Sequence, residues 1–182
     1  MNPAIEVYQS QLLTIRQDVP GLVANLSQEQ FAWSPASNRW SMAHCFDHLN
    51  ITARAFVPAI DRATEGARAH GLTGTGPFVC SLFERLFLRA TEPPPRLRMA
   101  APKVLRPAPD KPMEAILSEF MEWQDRLGER IRVADGLDLR RARGRSPAFP
   151  LMTWSLGSLI AITLAHERRH LWQARQVRKA LK

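Results

Sequence analysis

Two pairs of histidines stand at the same spacing in this chain: His44 with His48, and His166 with His170 in the run His166-Glu167-Arg168-Arg169-His170. Residues four apart lie on one face of a helix, so each pair presents two imidazoles in one direction. The second run spells HExxH, in which two imidazoles hold a zinc ion and the glutamate serves as general base of a metalloprotease. A protease of that kind takes its third ligand from downstream, and the twelve residues Leu171 to Lys182 contain no His, Asp or Glu. It also needs an edge strand on which to lay a peptide, for which the sequence offers no candidate. The motif therefore reads as half of a metal site that another helix must complete, and His48 is available to do so. Three neutral imidazoles leave coordination positions open for water or substrate, the geometry of a catalytic rather than a structural site. The competing reading makes each histidine a core residue hydrogen-bonded to a carbonyl or carboxylate. Four inward-facing histidines on two helices weigh against it. Asp47 and Glu167 are candidate acid/base groups, but each is one residue from a ligand and hence ~100° around the helix from it. Glu167 is expected to pair with a neighbouring arginine at the surface and Asp47 to bond an adjacent helix, although either could orient a ligand imidazole.

The elements that must position these residues follow from apolar period. Ile5, Tyr8, Leu12, Ile15 and Val19 form one stripe on a first helix that should end near Pro20 and Gly21. Ser41 is a plausible N-cap for a second helix running to about Ala67, with His44, His48, Ile51 and Ala55 as its inward line. A third helix should begin near Pro112, carry Met113, Ile116, Leu117, Phe120, Trp123, Leu127 and Ile131 inward, and stop before Gly136. The fourth should run from about Ser155, with Leu159, Ile162, His166, His170, Gln173 and Val177 in its seam. No stretch alternates with period two, so no strand is expected. Between the second and third helices lies a long crossover marked by Pro93, Pro94, Pro95, Pro102, Pro107, Pro109 and Pro112. Within it Val79, Leu82, Phe83, Leu86 and Phe87 predict a short amphipathic helix that covers one end of the bundle or supplies a subunit contact. The expected fold is an all-α four-helix bundle whose long link lets the first two and last two helices pair as antiparallel hairpins.

Composition narrows the functional classes. The 182 residues, 45% of them hydrophobic, make one domain spanning residues 1–182 with a core that needs no staple. The longest apolar stretch, Leu156 to Ala165, is far short of the ~20 residues that cross a bilayer, and the first ten residues have no leader pattern, so a cytoplasmic protein without a membrane partner is expected. Cys45 and Cys80 lack CxxC spacing and read as buried free thiols. The net charge of +8 is unevenly spread: residues 1–88 carry six Arg against seven acids, and residues 89–182 carry nineteen Lys+Arg against ten. Much of that excess is Arg168, Arg169, Arg175, Arg178, Lys179 and Lys182. It is read first as complementing a helix C-terminus and second as a basic rim drawing anions to the metal. No aromatic interleaving marks a nucleic-acid surface, so a small-molecule substrate is expected rather than nucleic acid. Trp40, Trp154 and Trp172 are expected as core or interface aromatics, and His70 as a loop residue.

The run Trp40-Ser41-Met42-Ala43-His44-Cys45-Phe46-Asp47-His48-Leu49-Asn50, followed over a hundred residues later by His166-Glu167-Arg168-Arg169-His170-Leu171-Trp172-Gln173, resembles the DinB-like (YfiT-like) superfamily of metal-dependent four-helix proteins. Arg106-Pro107 and Ser155-Leu156-Gly157 are similar to it too, so the resemblance covers nearly the whole chain. It implies a homodimeric bundle with a long link between helices two and three. It also implies a divalent metal, zinc first with nickel or manganese as alternatives, on His48, His166 and His170. Members with known activity are transferases or isomerases that use a low-molecular-weight thiol, and others are described as metal-dependent hydrolases. A thiol-dependent S-transferase or a small-molecule hydrolase is thus implied. His44 departs from the pattern, where an amide, acid or other polar residue is usual, and is a candidate base or additional ligand. The alternative class is a non-catalytic stress-response or binding protein that uses its basic second half.

Overall fold

A computed structural model describes residues 2–94, 101–149 and 151–181; Pro95 and Lys182 lie outside them. Helix α1 (Pro3–Val23) is capped by the Asn2 side chain, with Pro3 in its first turn, and buries Ile5, Tyr8, Leu12, Ile15, Val19 and Leu22. It does not end at Pro20 as expected. Pro20 falls in the last turn, where the lost N–H removes a single bond, and the helix ends at Val23 instead. Asn25, at φ 58°, then turns the chain into α2 (Gln28–Ala32), a short helix closed by a Ser27/Gln30 capping box that the apolar pattern does not announce. Helix α3 (Met42–Ala69) starts at Ser41 as expected. The crossover holds α4 (Leu82–Thr91) and a single 3₁₀ turn at Lys103–Leu105. Helix α5 (Met113–Val133) buries Ile116, Phe120, Gln124, Leu127 and Ile131, and α6 (Leu156–Ala180) follows its Ser155 cap.

The order of contacts along the helices sets their directions. Asn50 bonds the Ile116 carbonyl, Arg54 pairs with Glu119 and Asp61 with Arg130, so α3 and α5 run parallel. Gln11 meets Arg168, Asp18 meets Arg175 and the Leu22 carbonyl meets Arg178, so α1 and α6 run parallel too. His48 lies against His166, while Ala63 and Leu159 flank the same glycine, so α3 and α6 run in opposite directions. Each of α1 and α3 packs on both α5 and α6. The helices adjacent in sequence are antiparallel, as expected, but they face each other across the bundle instead of forming side-by-side hairpins. The cause is the crossover. It starts at the C-terminal end of α3 and ends near the level of Asn50, against which Ile116 of α5 lies, roughly 30 Å back at 1.5 Å per residue, and so delivers α5 parallel to α3.

This placement also corrects the inward line of α3. Wedged between α5 and α6, it buries Cys45, Phe46, Leu49, Ala53, Val57 and Ile60, while His44, Ile51 and Ala55 are only half-buried. Two three-residue strands, β1 (Arg143–Arg145) and β2 (Thr153–Ser155), form an antiparallel hairpin, too short for alternation to reveal. Gly144 lets β1 lie against α3 and α6: a Cβ there would stand 2.7 Å from Leu159 Cδ1 and 3.1 Å from the Ala63 Cβ. Helix α4 rests on α6, with Phe83 stacked on Trp154 and Phe87 against the same ring.

One buried carboxylate joins α4 to α6. Glu84 accepts from Ser81 N at 2.9 Å, and from Ser155 N and Oγ at 2.9 and 2.7 Å, so it satisfies donors at the start of both helices. Burial pulls its pKa up, but the donors of Ser155 and Ser81 prevail and hold it down to about 2. A pKa depressed in the folded state contributes stability that is full above the unfolded value and lost as pH falls toward the folded one. Glu84→Gln should therefore lower the urea-unfolding free energy at pH 7 by about 1.5–3 kcal/mol, with the gap narrowing below pH ~4.5. Gly144→Ala, pressed against a fully buried Leu159, should cost about 1–3 kcal/mol in the same titration. An unchanged midpoint would mean that the hairpin can lift off the bundle.

Candidate metal centre

The capping box that opens α3 places His44 at its third position, where its Nδ1 lies 2.7 Å from Ser41 Oγ. One turn later His48 is buried, and its Nδ1 lies 2.7 Å from the carbonyl oxygen of Leu105. A carbonyl only accepts, so Nδ1 carries the proton and Nε2 presents a lone pair. That nitrogen is 3.2 Å from His166 Nε2, which in turn is 3.1 Å from His170 Nε2. One nitrogen from each of the three rings lies within 4.8 Å of the other two. The structure therefore brings together His48, His166 and His170, and leaves His44 outside this set, on the wall of the same cavity.

Each imidazole nitrogen has one in-plane site, holding either a proton or a lone pair, so one proton can satisfy only one of the two short N···N approaches. The other sets lone pair against lone pair, or proton against proton, unless a cation lies between. For tetrahedral zinc with Zn–N of 2.0–2.1 Å, ligand nitrogens stand about 3.3–3.4 Å apart, close to the distances here. The surroundings favour the neutral form of all three rings. Burial is the first cause for each; it brings His166 down to about 3, helped by the charges of His48 and Arg169, and lowers His48 and His170 too. The donor set fits a divalent metal that accepts imidazole.

Four neighbouring groups escape the apolar pattern. Trp40 lies over the cluster, its ring 5.5 Å from His170 and 4.9 Å from His48, so it is part of the site wall. The Leu105 carbonyl orients His48, a role expected of a carboxylate. Asp47 instead accepts from Ala108 N at 2.9 Å, which pins the crossover beside the site. Glu167 does not reach the surface either. It lies in line with Ile160, Leu164, Leu171 and Ala174, is 4% exposed, and accepts from Gln124 Nε2 at 3.0 Å. Burial raises its pKa to about 7 against the opposing pull of Gln124 and Arg168. The amide at position 124, four after Phe120 and three before Leu127 in an apolar stripe, is the sequence signal that would have found its partner.

The arginines of α6 are not a loose rim. Arg168 pairs with Glu92 and bonds Gln11, Arg175 pairs with Asp18, and Arg178 donates to the carbonyls of Leu22 and Ala24 at the end of α1. Arg169 donates to the Ala90 carbonyl at the end of α4. His70 caps α3, exposed. Cys45 is a buried free thiol whose pKa burial pushes up, whereas Cys80 is free and half-buried. The histidines open into a cavity of about 1230 Å³ whose wall includes Trp40, Phe87, Phe149 and Trp154. No described helix is long and apolar enough to cross a membrane.

Residues 11–174 match the family model described as the DinB superfamily. No curated protein and no solved structure gives a significant match.

The depressed imidazoles set a pH dependence. Unfolded histidines take up protons near pH ~6.5 and the folded ones do not, so their contribution is full above that value and is lost as pH falls. Glu167, raised in the folded state, works the other way between about pH 7 and 4.5, but it is one group against three. The thermal midpoint of metal-free protein should fall from pH 7 to pH 5, and more steeply in Glu167→Gln. A flat profile would contradict the neutral cluster.

Proposed function

From the premise that the chain belongs to the DinB superfamily, we propose that it is a divalent-metal-dependent enzyme acting on a small molecule, a thiol-dependent S-transferase or a hydrolase. The observation that carries this reading is the His48, His166 and His170 cluster, whose nitrogens meet at the wall of a large cavity. Those three residues would hold the ion, with zinc favoured by an all-imidazole donor set and nickel or manganese as alternatives. Bound there, such an ion supplies Lewis acidity toward a carbonyl or stabilises a water-derived or thiol anion at neutral pH.

The remaining work falls to the chain's own residues. Leu105 fixes the tautomer of His48, so that its Nε2 lone pair stays turned to the cluster. Trp40 covers the imidazoles and keeps water from two of the rings. His44, tied to Ser41 through Nδ1, stands on the cavity wall as a candidate base or additional ligand. Glu167 and Gln124 hold α6 to α5 behind the ligands, so the turn carrying His166 and His170 keeps its rotation.

Metal content per chain, read by plasma mass spectrometry after growth with zinc, nickel or manganese, tests this reading. One equivalent is expected in the wild type, with loss in both His48→Ala and His166→Ala, and retention in His44→Ala if His44 serves as a base. A folded wild type that neither carries nor takes up metal would defeat the proposal and favour a non-catalytic binding protein.

A further inference from the structure

Because α3 and α6 run in opposite directions past His48 and His166, a step forward along α3 and a step back along α6 lead the same way from the imidazole cluster. Thr52 and Phe56, one and two turns after His48, line the cavity in that direction, and so does Ile162, one turn before His166. From His48 to Phe56 the helix advances about 12 Å at 1.5 Å per residue. Phe87 of α4, with Phe149 and Trp154 of the β1–β2 hairpin, completes the wall of this arm. Phe87 meets Phe149 edge-on at 6.2 Å and lies 4.9 Å from Trp154.

The arm differs from the rest of the cavity in its lack of charge. The charged residues among the described lining are Arg39, Arg106, Glu167 and Arg169, and each is next in sequence to Trp40, Leu105, His166 or His170, at the cluster itself. Arg106 and Arg169 donate to the carbonyls of Ala101 and Ala90, and Glu167 is engaged with Gln124. None of the lining residues that α3 contributes beyond His48, or α6 before His166, is charged. The threonine hydroxyls there are taken up within their own helices: Thr52 donates to the Leu49 carbonyl at 3.0 Å and Thr163 to the Leu159 carbonyl at 2.8 Å. In the hairpin the Ser146 oxygen accepts from Phe149 N at 3.1 Å. A polar or charged group entering the arm would thus give up bonds to water for little in return, whereas an apolar group gains by leaving water.

We infer that this arm receives the uncharged hydrocarbon part of the substrate, an aryl or alkyl body extending about 12 Å from a reacting end placed at the histidines. The inference names the substrate class of the proposed site, and rests on that reading for the histidines being the reacting end. Phe56, Phe87 and Phe149 are its specificity-determining residues, because their rings supply the surface that the body covers.

The test uses the metal-free full chain and the n-alkylbenzenes from benzene to pentylbenzene, which carry no group that a metal or an ion pair could hold. Binding is read by headspace partition and by tryptophan fluorescence. Each added methylene should tighten binding about three- to fourfold, and added salt should not weaken it. Phe149→Ser and Phe56→Ser, both at half-buried positions, should each weaken pentylbenzene about three- to tenfold. Leu86→Gln should leave it unchanged, since Leu86 is exposed on α4 and does not line the cavity, which distinguishes the arm from the apolar surface of that helix. No binding by any member of the series, affinity that does not rise with chain length, or binding that Leu86→Gln weakens as much as Phe149→Ser does would each overturn the inference. Should the two phenylalanine variants fail to fold, the wild-type length series and Leu86→Gln still decide it. Zinc titration of the same preparation separates the two readings: zinc uptake without hydrocarbon binding defeats this inference alone, and hydrocarbon binding in a chain that takes up no zinc defeats the metal reading alone.

Discussion

Three imidazole nitrogens, whose two short approaches a single proton cannot both satisfy, are held together beside the cavity of this protein, and much of the surrounding structure can be understood as the means of holding them. Two of the three rings are on one turn of α6 and the third is on α3, which runs antiparallel to it. A small rotation of either helix would separate them. The rotation of α3 is fixed by the bond from His48 to Leu105 and by Asp47 on the Ala108 amide, both reaching into the crossover. That of α6 is fixed by Glu167 on Gln124 inside and by Arg168 and Arg169 on the end of α4 outside. The long connection is thus an anchoring element, gripped on both sides by residues adjacent to the clustered histidines.

Polar groups in the core carry a second consequence. A bundle held by apolar stripes alone tolerates sliding and rotation, since one aliphatic contact replaces another at little cost. Asn50 on the Ile116 carbonyl and Gln124 on Glu167 do not tolerate it, because each shift would strand a buried donor or acceptor. Glu84 does the same at the far end by joining the starts of α4 and α6. These bonds add less to stability than the apolar core does, and they select one alignment of helices among several that the stripes would accept.

The legible part of the fold was the part written in period. The stripe of α1, the cap at Ser41, the start at Pro112 and the amphipathic α4 follow from 3.6-residue spacing and local capping chemistry. The histidine cluster was legible through the His-x3-His spacing of α6, and through the resemblance that selected His48. What escaped depends on contacts far apart in sequence. The placement of α3 between two helices left Ile51 and Ala55 half-buried and put Thr52 and Phe56 beside His44 and His48 on the cavity wall. The diagonal pairing follows from where the crossover ends, and a chain of prolines does not encode a direction. Glu167 was misread because a carboxylate beside arginines looks solvated until a buried amide on another helix claims it. The strands were invisible because three residues show no period.

The same logic explains why neither motif nor net charge states what a side chain does until its partners are known. An HExxH run states only that two imidazoles share a face, and Glu167 in this chain turns away from the ligand direction to serve the core. The arginines that sequence reading collected into a basic tail are, once folded, largely anchors of α6. Arg168, Arg175 and Arg178 lock α6 to α1 and α4, and their charge is spent on carboxylates and helix-end carbonyls. Arg169, from the same tail, donates to the Ala90 carbonyl at the end of α4, whereas Arg39 and Arg106, from other segments, stand on the cavity wall. Net charge counts every arginine alike, so it does not tell which of them anchor helices and which line a cavity.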